Sequence, residues 1–347
     1  MYVNTLTSLE DLPPCQKPMC DGYKHIFCEG RLAMRLIRGL HNFSYIAQNW
    51  SGCVATIGNF DGFHRGHRQL IARLQTVKQQ HQLPSVVIVF EPQPREYFAM
   101  SQAPIRLMRL SDKIIALQDQ GIDFILCLYF DRELAMLSAN DFIQQILVNK
   151  LRIQHLVVGD DFQFGSGREG NLALLKHMGG ILGFCVDEVS TVLVENRRVS
   201  SSWLRDVLRL GDLTLFSRLA DRPFRLIGRV MHGAKRGQRI GFPTANISLR
   251  SINPPLRGVY VVTVDGVYSR SIRGVANLGC RPTVDGASVW LEVHLFDFNE
   301  VIYGRKLQVN FHQKLRDEKK FDSLDHLKTQ IALDVDRAKT YFSMTKE

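Results

Sequence analysis

One stretch constrains this chain more than any other: Val54 to His67, VATIGNFDGFHRGH, sets a short apolar run, a glycine-punctuated turn and a polar helix start within fourteen residues. It reads as strand, phosphate loop and helix. Val54, Ala55, Thr56 and Ile57 suit a buried strand, Gly58 and Gly62 let the backbone approach a ligand, and Leu70, Ile71, Leu74 and Val77 continue at helical spacing. The unpaired N–H groups and partial positive charge of a helix start form an anion site. His64 and His67 lie three apart at that start, so both imidazoles can face one spot and donate to phosphoryl oxygens. Taken alone, such a pair is more often a metal pair, a helix cap or surface polarity. The loop lacks the Gly-Lys-Ser/Thr of a Walker A loop, and no GxGxxG occurs in it.

The surrounding residues narrow the choice. GNFDGFHRGH closely resembles the His-containing signature of the nucleotidyltransferase superfamily, in the form used by bacterial FAD synthetases. The resemblance implies that Gly58, Asn59, Phe60, Asp61 and Gly62 hold ATP phosphates beside His64 and His67.

A chain of 347 residues, 45% hydrophobic and 22% charged, is long enough for two globular cores. No apolar run reaches the roughly 20 residues that span a bilayer, and the first residues lack a basic segment followed by an apolar core and cleavage site. A cytoplasmic protein with no membrane partner is expected. The 7 cysteines are scattered without a CxxC pair, so reduced thiols are expected rather than zinc or redox work. Residues 221–347 carry 21 basic and 13 acidic groups, against 23 and 21 in residues 1–220. A basic second half suits polyphosphate substrates; nucleic acid is the rival partner, and no recognition-helix or RNP pattern supports it.

Residues 1–33 hold Pro and Cys without periodicity, and the family resemblance begins at Met34 with MRLIRGLHN, so an extension or a misplaced start is expected. Strand-like and helix-like segments then alternate: Val54 to Ile57, the helix after His67, Val86 to Phe90, Ser111 to Gln120, Phe124 to Tyr129, Asp141 to Val148 and His155 to Val158. Such alternation predicts an α/β domain with a parallel, Rossmann-like sheet over 34–220. Ligands on these sheets bind beyond the carboxyl ends of the strands, where the Gly58 loop falls.

Gly159 to Gly170, GDDFQFGSGREG, is too glycine-rich and acidic for regular structure. It is either a plain surface loop or a site in which Phe162 and Phe164 meet a flat ring and Arg168 a phosphate. It resembles the flavin-side motif VVGDDFxFGxxRxG of FAD synthetases, which implies flavin binding by Asp160, Asp161, Phe162, Phe164 and Arg168. SSSWLR, Ser200 to Arg205, opens a helix that runs to about Leu210 and stops at Gly211. Serines at a helix start usually only cap it. Ser200, Ser201 and Ser202 with Arg205 one turn in look like the second superfamily signature, which holds the nucleotide phosphates. A short helical stretch then ends at Pro223, and the domain boundary is placed near 221.

Beyond it, over 221–347, the pattern turns to beta: Phe224 to Met231, Gly258 to Val264, Ser271 to Asn277, Val289 to Phe296 and Leu307 to Phe311 read as strands of an antiparallel barrel. Leu324, Leu327, Ile331 and Val335 recur at helical spacing, so a final helix packs on it. In GFPTAN, Thr244 and Asn246 alternate on an extended backbone and offer hard oxygens suited to Mg2+ bound with substrate phosphates; a turn with a Thr–Asn hydrogen bond is the alternative. The preceding HGAKRGQRIG, with Gly233, Lys235 and Gly237, reads as a loop closing over phosphates. Glu292 and His294 share one face of an otherwise apolar strand, and a carboxylate inside a barrel strand is either half of a salt bridge or a general base.

With GVYVV at 258–262, GVANLGCRPT at 274–283 and KLRDEKKFDSL at 314–324, these segments closely resemble bacterial riboflavin kinases. From Met34 to Tyr341 the chain is similar to the bifunctional prokaryotic FAD synthetases, which join a riboflavin kinase to an FMN adenylyltransferase. The resemblance implies riboflavin, FMN and ATP as substrates, and Mg2+ with ATP as co-substrate. It implies Glu292 as the base of the kinase, Thr244 and Asn246 as Mg2+ ligands, and His64, His67, Arg205 and the serines as the groups that stabilise charge in adenylyl transfer. Val284, where an aromatic is usual, and Gln93, where a His is common, depart from the pattern. A single-activity enzyme with a relic site and a non-catalytic flavin sensor are the alternatives.

Overall fold

The computed structural model describes residues 34–46, 50–233, 237, 240–249, 253–283 and 286–345. The expected extension at 1–33, and with it Lys235 and Val284, lies outside the described residues.

The first half is built on six parallel strands: β1 (Arg35–Arg38), β2 (Cys53–Ile57), β3 (Ser85–Glu91), β4 (Phe124–Tyr129), β5 (Ile153–Gly159) and β6 (Cys185–Val189), in the order β1-β4-β3-β2-β5-β6. The continuous apolar run of β3 follows from burial on both faces. Val86 and Ile88 join one apolar cluster, and Val87 and Val89 the other. The helices are α1 (Leu40–Ile46), α2 (Arg65–His81), α3 (Pro94–Ala99), α4 (Leu110–Gln118), α5 (Arg132–Met136), α6 (Ala139–Asp141, continued by π-helical Phe142–Lys150), α7 (Leu172–Leu182), α8 (Ser201–Leu210) and α9 (Leu213–Ala220). Ile71, Leu74 and Val77 of α2 are buried against one face, whereas Phe142, Ile146 and Leu175 cover the other.

The sequence reading leaves β1 and β6 unassigned. β1 is only four residues long. β6 is an edge strand whose acids are answered by neighbouring helices, Arg73 pairing with Asp187 and Lys176 with Glu188, so it shows no apolar run. A short hairpin, β7 (Leu193–Val194) and β8 (Arg197–Arg198), precedes α8.

The second half closes into an antiparallel barrel, β10-β13-β12-β11-β14-β9, from β9 (Phe224–Met231), β10 (Ala245–Ser248), β11 (Gly258–Asp265), β12 (Ile272–Thr283), β13 (Gly286–Leu295) and β14 (Lys306–Arg316). The interior alternates with period two: Leu226, Ile247, Val262, Leu278, Leu291, Val293 and Val309 point inward. The final helix, α10 (Leu324–Met344), lies on the outer wall, where Val335 and Ala338 meet Val259, Val261 and Val275. Asp334, only 1% exposed, accepts from Arg316 Nε and Nη2 and ties α10 to β14.

α9 packs with the barrel although it precedes the boundary read near 221. Leu213, Phe216 and Leu219 share the cluster that fills the barrel, and Phe216 meets Phe224 edge to face at 5.4 Å. Burying a Leu or Phe side chain is worth roughly 1.5–3 kcal/mol, so these three stabilise the barrel appreciably. A fragment beginning at Asp212 is therefore expected to melt on the order of 10 °C above one beginning at Asp221, by the usual scaling for a domain of this size. Calorimetry of both fragments checks this; equal melting temperatures would remove α9 from the barrel's core.

Candidate active sites

The loop after β2 is held from three sides. Asp61 is 1% exposed and accepts from the N–H groups of Leu107 (3.0 Å) and Met108 (2.9 Å) and from Arg205 Nη2 (2.6 Å). Its carbonyl accepts from Ser201 Oγ at 2.7 Å. The next carbonyl, that of Gly62, accepts from Arg222 Nη2 at 2.9 Å. Phe60 and Phe63, both at positive φ, turn their rings into the core beneath the sheet. Gly62 has φ +84° and admits no side chain, because a Cβ would come within 2.7 Å of Leu204. Only backbone and Asn59 therefore remain on the outer side of the loop, and the Asn59 Oδ1 atom is buried with no hydrogen-bond partner among the described residues.

Three of the expected site residues face inward. The Asp61 carboxylate is turned onto Arg205 and the N–H groups of Leu107 and Met108. Arg205, expected to meet the phosphates, is 6% exposed and donates to Ile105 O (2.6 Å) and Asp61 instead. A buried carboxylate is tolerated when paired and hydrogen-bonded, which is the task the guanidinium performs here. The Phe60 ring is 0% exposed. Of the serines, Ser200 accepts from Trp203 N as a helix cap, Ser201 ties α8 to the loop, and Ser202 is exposed.

His64 caps α2, with the His67 N–H donating to its Nδ1 at 3.4 Å. The two rings stack at 3.7 Å, 19° apart, which is not how metal ligands converge on one ion. Burial, then the charge of Arg198, lowers the His64 pKa to about 4. Burial, then His64 and Lys113, holds His67 well below its ordinary value. Both imidazoles are therefore neutral at pH 7. With Nδ1 accepting, the proton of His64 sits on Nε2 as a donor.

In the segment after β5 the two aromatic rings pack inward. Phe164 is 8% exposed and stacks on Phe162 at 5.5 Å, and both rings pack against the sheet's core. Asp160 accepts from the Thr191 N–H and hydroxyl, Asp161 pairs with Arg198, and Arg168 is exposed. Sequence reasoning missed a different aromatic group at the carboxyl ends of β3 and β4. There Phe90, Tyr97, Phe98 and Phe130 meet edge to face at 5.2–5.8 Å, and Phe98 is 66% exposed. The signal was present in FEPQPREYF as three aromatics around a pair of prolines. Gln93 caps the α3 helix there, and its Nε2 is buried with no partner among the described residues.

The second site lies on the outer wall of the barrel. Leu291, Val293 and Leu295 point inward, so Glu292 and His294 face outward, half-buried. Glu292 stands opposite Asn246 on β10 and Asn277 on β12, which aligns three polar side chains across three strands. Asn246 is 7% exposed, and Asn277 Oδ1 is buried with no partner among the described residues. A Cβ at Gly233 would come within 2.1 Å of the Asn246 amide, so the loop after β9 presses on that side chain as only glycine allows. Gly237 O accepts from Phe242 N at 2.9 Å, and His294 Nδ1 lies 2.9 Å from Pro243 O, which holds the half-buried Thr244 between them. Thr244 and Asn246 supply hard oxygens, and a pair of this kind fits Mg2+, which keeps waters and binds together with phosphates. Among the described residues no cluster of three His, Cys, Asp or Glu could cage a metal, and no helix is long and apolar enough to cross a membrane.

Comparison with known proteins covers both sites. The FAD synthetase family profile matches residues 46–203, and the riboflavin kinase profile matches residues 220–342. The chain is 48% identical over 313 residues to the bifunctional riboflavin kinase/FMN adenylyltransferase of Escherichia coli K12, covering 90% of this chain and 99% of that one. It is 46% identical over 310 residues to the protein of the same description from Haemophilus influenzae, covering 89% and 100%. A crystal structure described as a macrolide-efflux protein from Streptococcus pneumoniae superposes with a TM-score of 0.76 at 28% identity, covering 88% of this chain and 98% of that one. With both profiles in this order and near-half identity over nine-tenths of its length, the chain belongs to the family of bifunctional riboflavin kinase/FMN adenylyltransferases.

Proposed function

We propose that the chain makes FAD from riboflavin in two ATP-dependent steps, one on each half, with the division near 221. What supports this reading is that the family profiles of both reactions match, one on each half, and that each half carries its own polar group, His64 with His67 after the parallel sheet's β2 and Asn246 with Glu292 on the barrel wall. In the barrel, Glu292 takes the proton of the ribityl hydroxyl as its oxygen bonds to the γ-phosphorus of ATP, and ADP leaves. Thr244 and Asn246 would hold Mg2+, which would supply positive charge to the phosphates. Gly233, Lys235 and Gly237 belong to the loop that closes over the phosphates.

On the sheet, a phosphate oxygen of FMN bonds to the α-phosphorus of a second ATP, and the bond to pyrophosphate breaks. His64 and His67 donate N–H groups to the charge that develops, together with the backbone of Gly58, Asn59 and Gly62 and the first turns of α2 and α8. Asp61 and Arg205 hold the loop for them. The flavin ring rests on the Phe98 group rather than on Phe164. The substrates are riboflavin, FMN and ATP, and the place of work is the cytoplasm.

The test is to incubate the protein with riboflavin and Mg-ATP and resolve flavins by chromatography over time. FMN followed by FAD, with one ADP and one pyrophosphate per FAD, is expected. FMN alone would leave a single-activity enzyme, and unchanged riboflavin a flavin sensor.

Two substitutions separate the halves. His67→Ala is expected to lower FAD formation on the order of 100- to 1,000-fold, the worth of one preorganised donor, while FMN accumulates. Normal FAD formation would release the pair from the site. Glu292→Gln keeps size and reach but removes the base, and is expected to slow riboflavin phosphorylation by roughly 100- to 10,000-fold with adenylylation of supplied FMN intact. Thermal unfolding is measured alongside: a lower melting temperature with unchanged kinase turnover would make Glu292 a structural carboxylate.

A further inference from the structure

Among the described residues Lys113 is the one lysine that is fully buried. It lies in the first turn of α4, is 1% exposed, and makes no side-chain hydrogen bond or ion pair with any described residue. Its nearest charges are Asp61, Arg106, Glu91 and Glu96, and its own charge acts on His67. The ammonium therefore sits where the loop after β2, the carboxyl end of β3 and the start of α2 come together.

Each of those carboxylates is engaged elsewhere. Asp61 is held by Arg205 and two backbone amides. Arg106 bridges Glu91 and Glu96. Asp61, Glu91 and Glu96 favour the charged form from a distance, but none is in hydrogen-bond contact with the ammonium, and an enclosed ammonium with no contact partner is costly, a cost that an arriving anion would offset. Burial depresses the Lys113 pKa, and an arriving phosphate would reverse that effect.

The structure assigns Lys113 to the adenylyl-transfer site as a cationic ligand of a phosphoryl oxygen, beside the two neutral imidazoles, a role that rests on the function proposed above. The neutral donors shape the site, and Lys113 brings it a full positive charge. The phosphoryl oxygen belongs either to the pyrophosphate end of ATP or to the phosphate of FMN, and the substrate whose binding changes tells which.

The experiment uses the full chain carrying Lys113→Met, which keeps the apolar stem, and Lys113→Arg, which keeps the charge. FAD formation from FMN and Mg-ATP is measured with each substrate varied in turn, and riboflavin phosphorylation serves as the internal control of folding. Lys113→Met is expected to lose at least 100-fold in kcat/KM for FAD formation, with riboflavin phosphorylation within twofold of the parent and partial recovery in Lys113→Arg. A loss seen in the KM for ATP marks the pyrophosphate end, and one in the KM for FMN marks the flavin phosphate. FAD formation within threefold of the parent overturns the proposal, as does a parallel fall of both activities and of the melting temperature that Lys113→Arg does not reverse.

If Lys113→Met does not fold, the unsubstituted protein decides. The lysine Cε resonance that disappears in Lys113→Arg should shift on adding inorganic pyrophosphate or FMN, and an unmoved resonance overturns the assignment. A parent protein that makes no FAD at all would instead bring down the underlying function, and Lys113's role with it.

Discussion

The buried pair of Asp61 and Arg205 is the interaction on which the first site depends. It joins residues far apart in the chain at 2.6 Å, and the same carboxylate gathers the N–H groups of Leu107 and Met108. Breaking a buried pair by removing one partner costs about 3–5 kcal/mol, because the remaining charge is left enclosed and unanswered. The loop after β2, the entry to α4 and the start of α8 are thereby locked to one another. The first turns of α2 and α8 are held beside one another because the carboxylate between them is satisfied from within.

The seam between the halves continues this arrangement. Arg222, next to the barrel's first strand, donates to Gly62 O in the phosphate loop, and Arg68 of α2 donates to Ala220 O. Arg109, which caps α4 beside Asp112, reaches Ile227 O on β9. Burial, then the charges of Arg225 and Arg68, pull the Arg222 pKa down to about 9. β9 in turn pairs with β10, which carries Asn246. The two sites are thus joined by backbone-directed hydrogen bonds from arginines rather than by an apolar interface alone.

How much of this was legible in the sequence differs from residue to residue. The strand–loop–helix at Val54 to His67 was legible because its glycines, its apolar run and its histidines are contiguous. Period two placed Glu292 and His294 on one face of their strand but could not say which face was the inside, since that depends on how the barrel closes. The pairing of Asp61 with Arg205 was not legible, because a carboxylate in a phosphate-loop motif and an arginine in a serine-rich motif each carry an obvious outward task, and only the fold makes them neighbours. The packing of Phe162 and Phe164 was not legible for a related reason: aromatics in a glycine-rich loop look exposed, and here they complete the core beside α6 and α7. Lys113 was invisible because one lysine in an amphipathic pattern carries no signal of burial.

The most direct measurement is on Asp61→Asn in the full chain, with both activities followed in one preparation. If the carboxylate holds the first site together, FAD formation from supplied FMN falls by at least about 100-fold, matching a loss near 3 kcal/mol, while riboflavin phosphorylation on the barrel stays within twofold. FAD formation at the parent's rate would contradict the account, and so would a loss shared equally by both reactions.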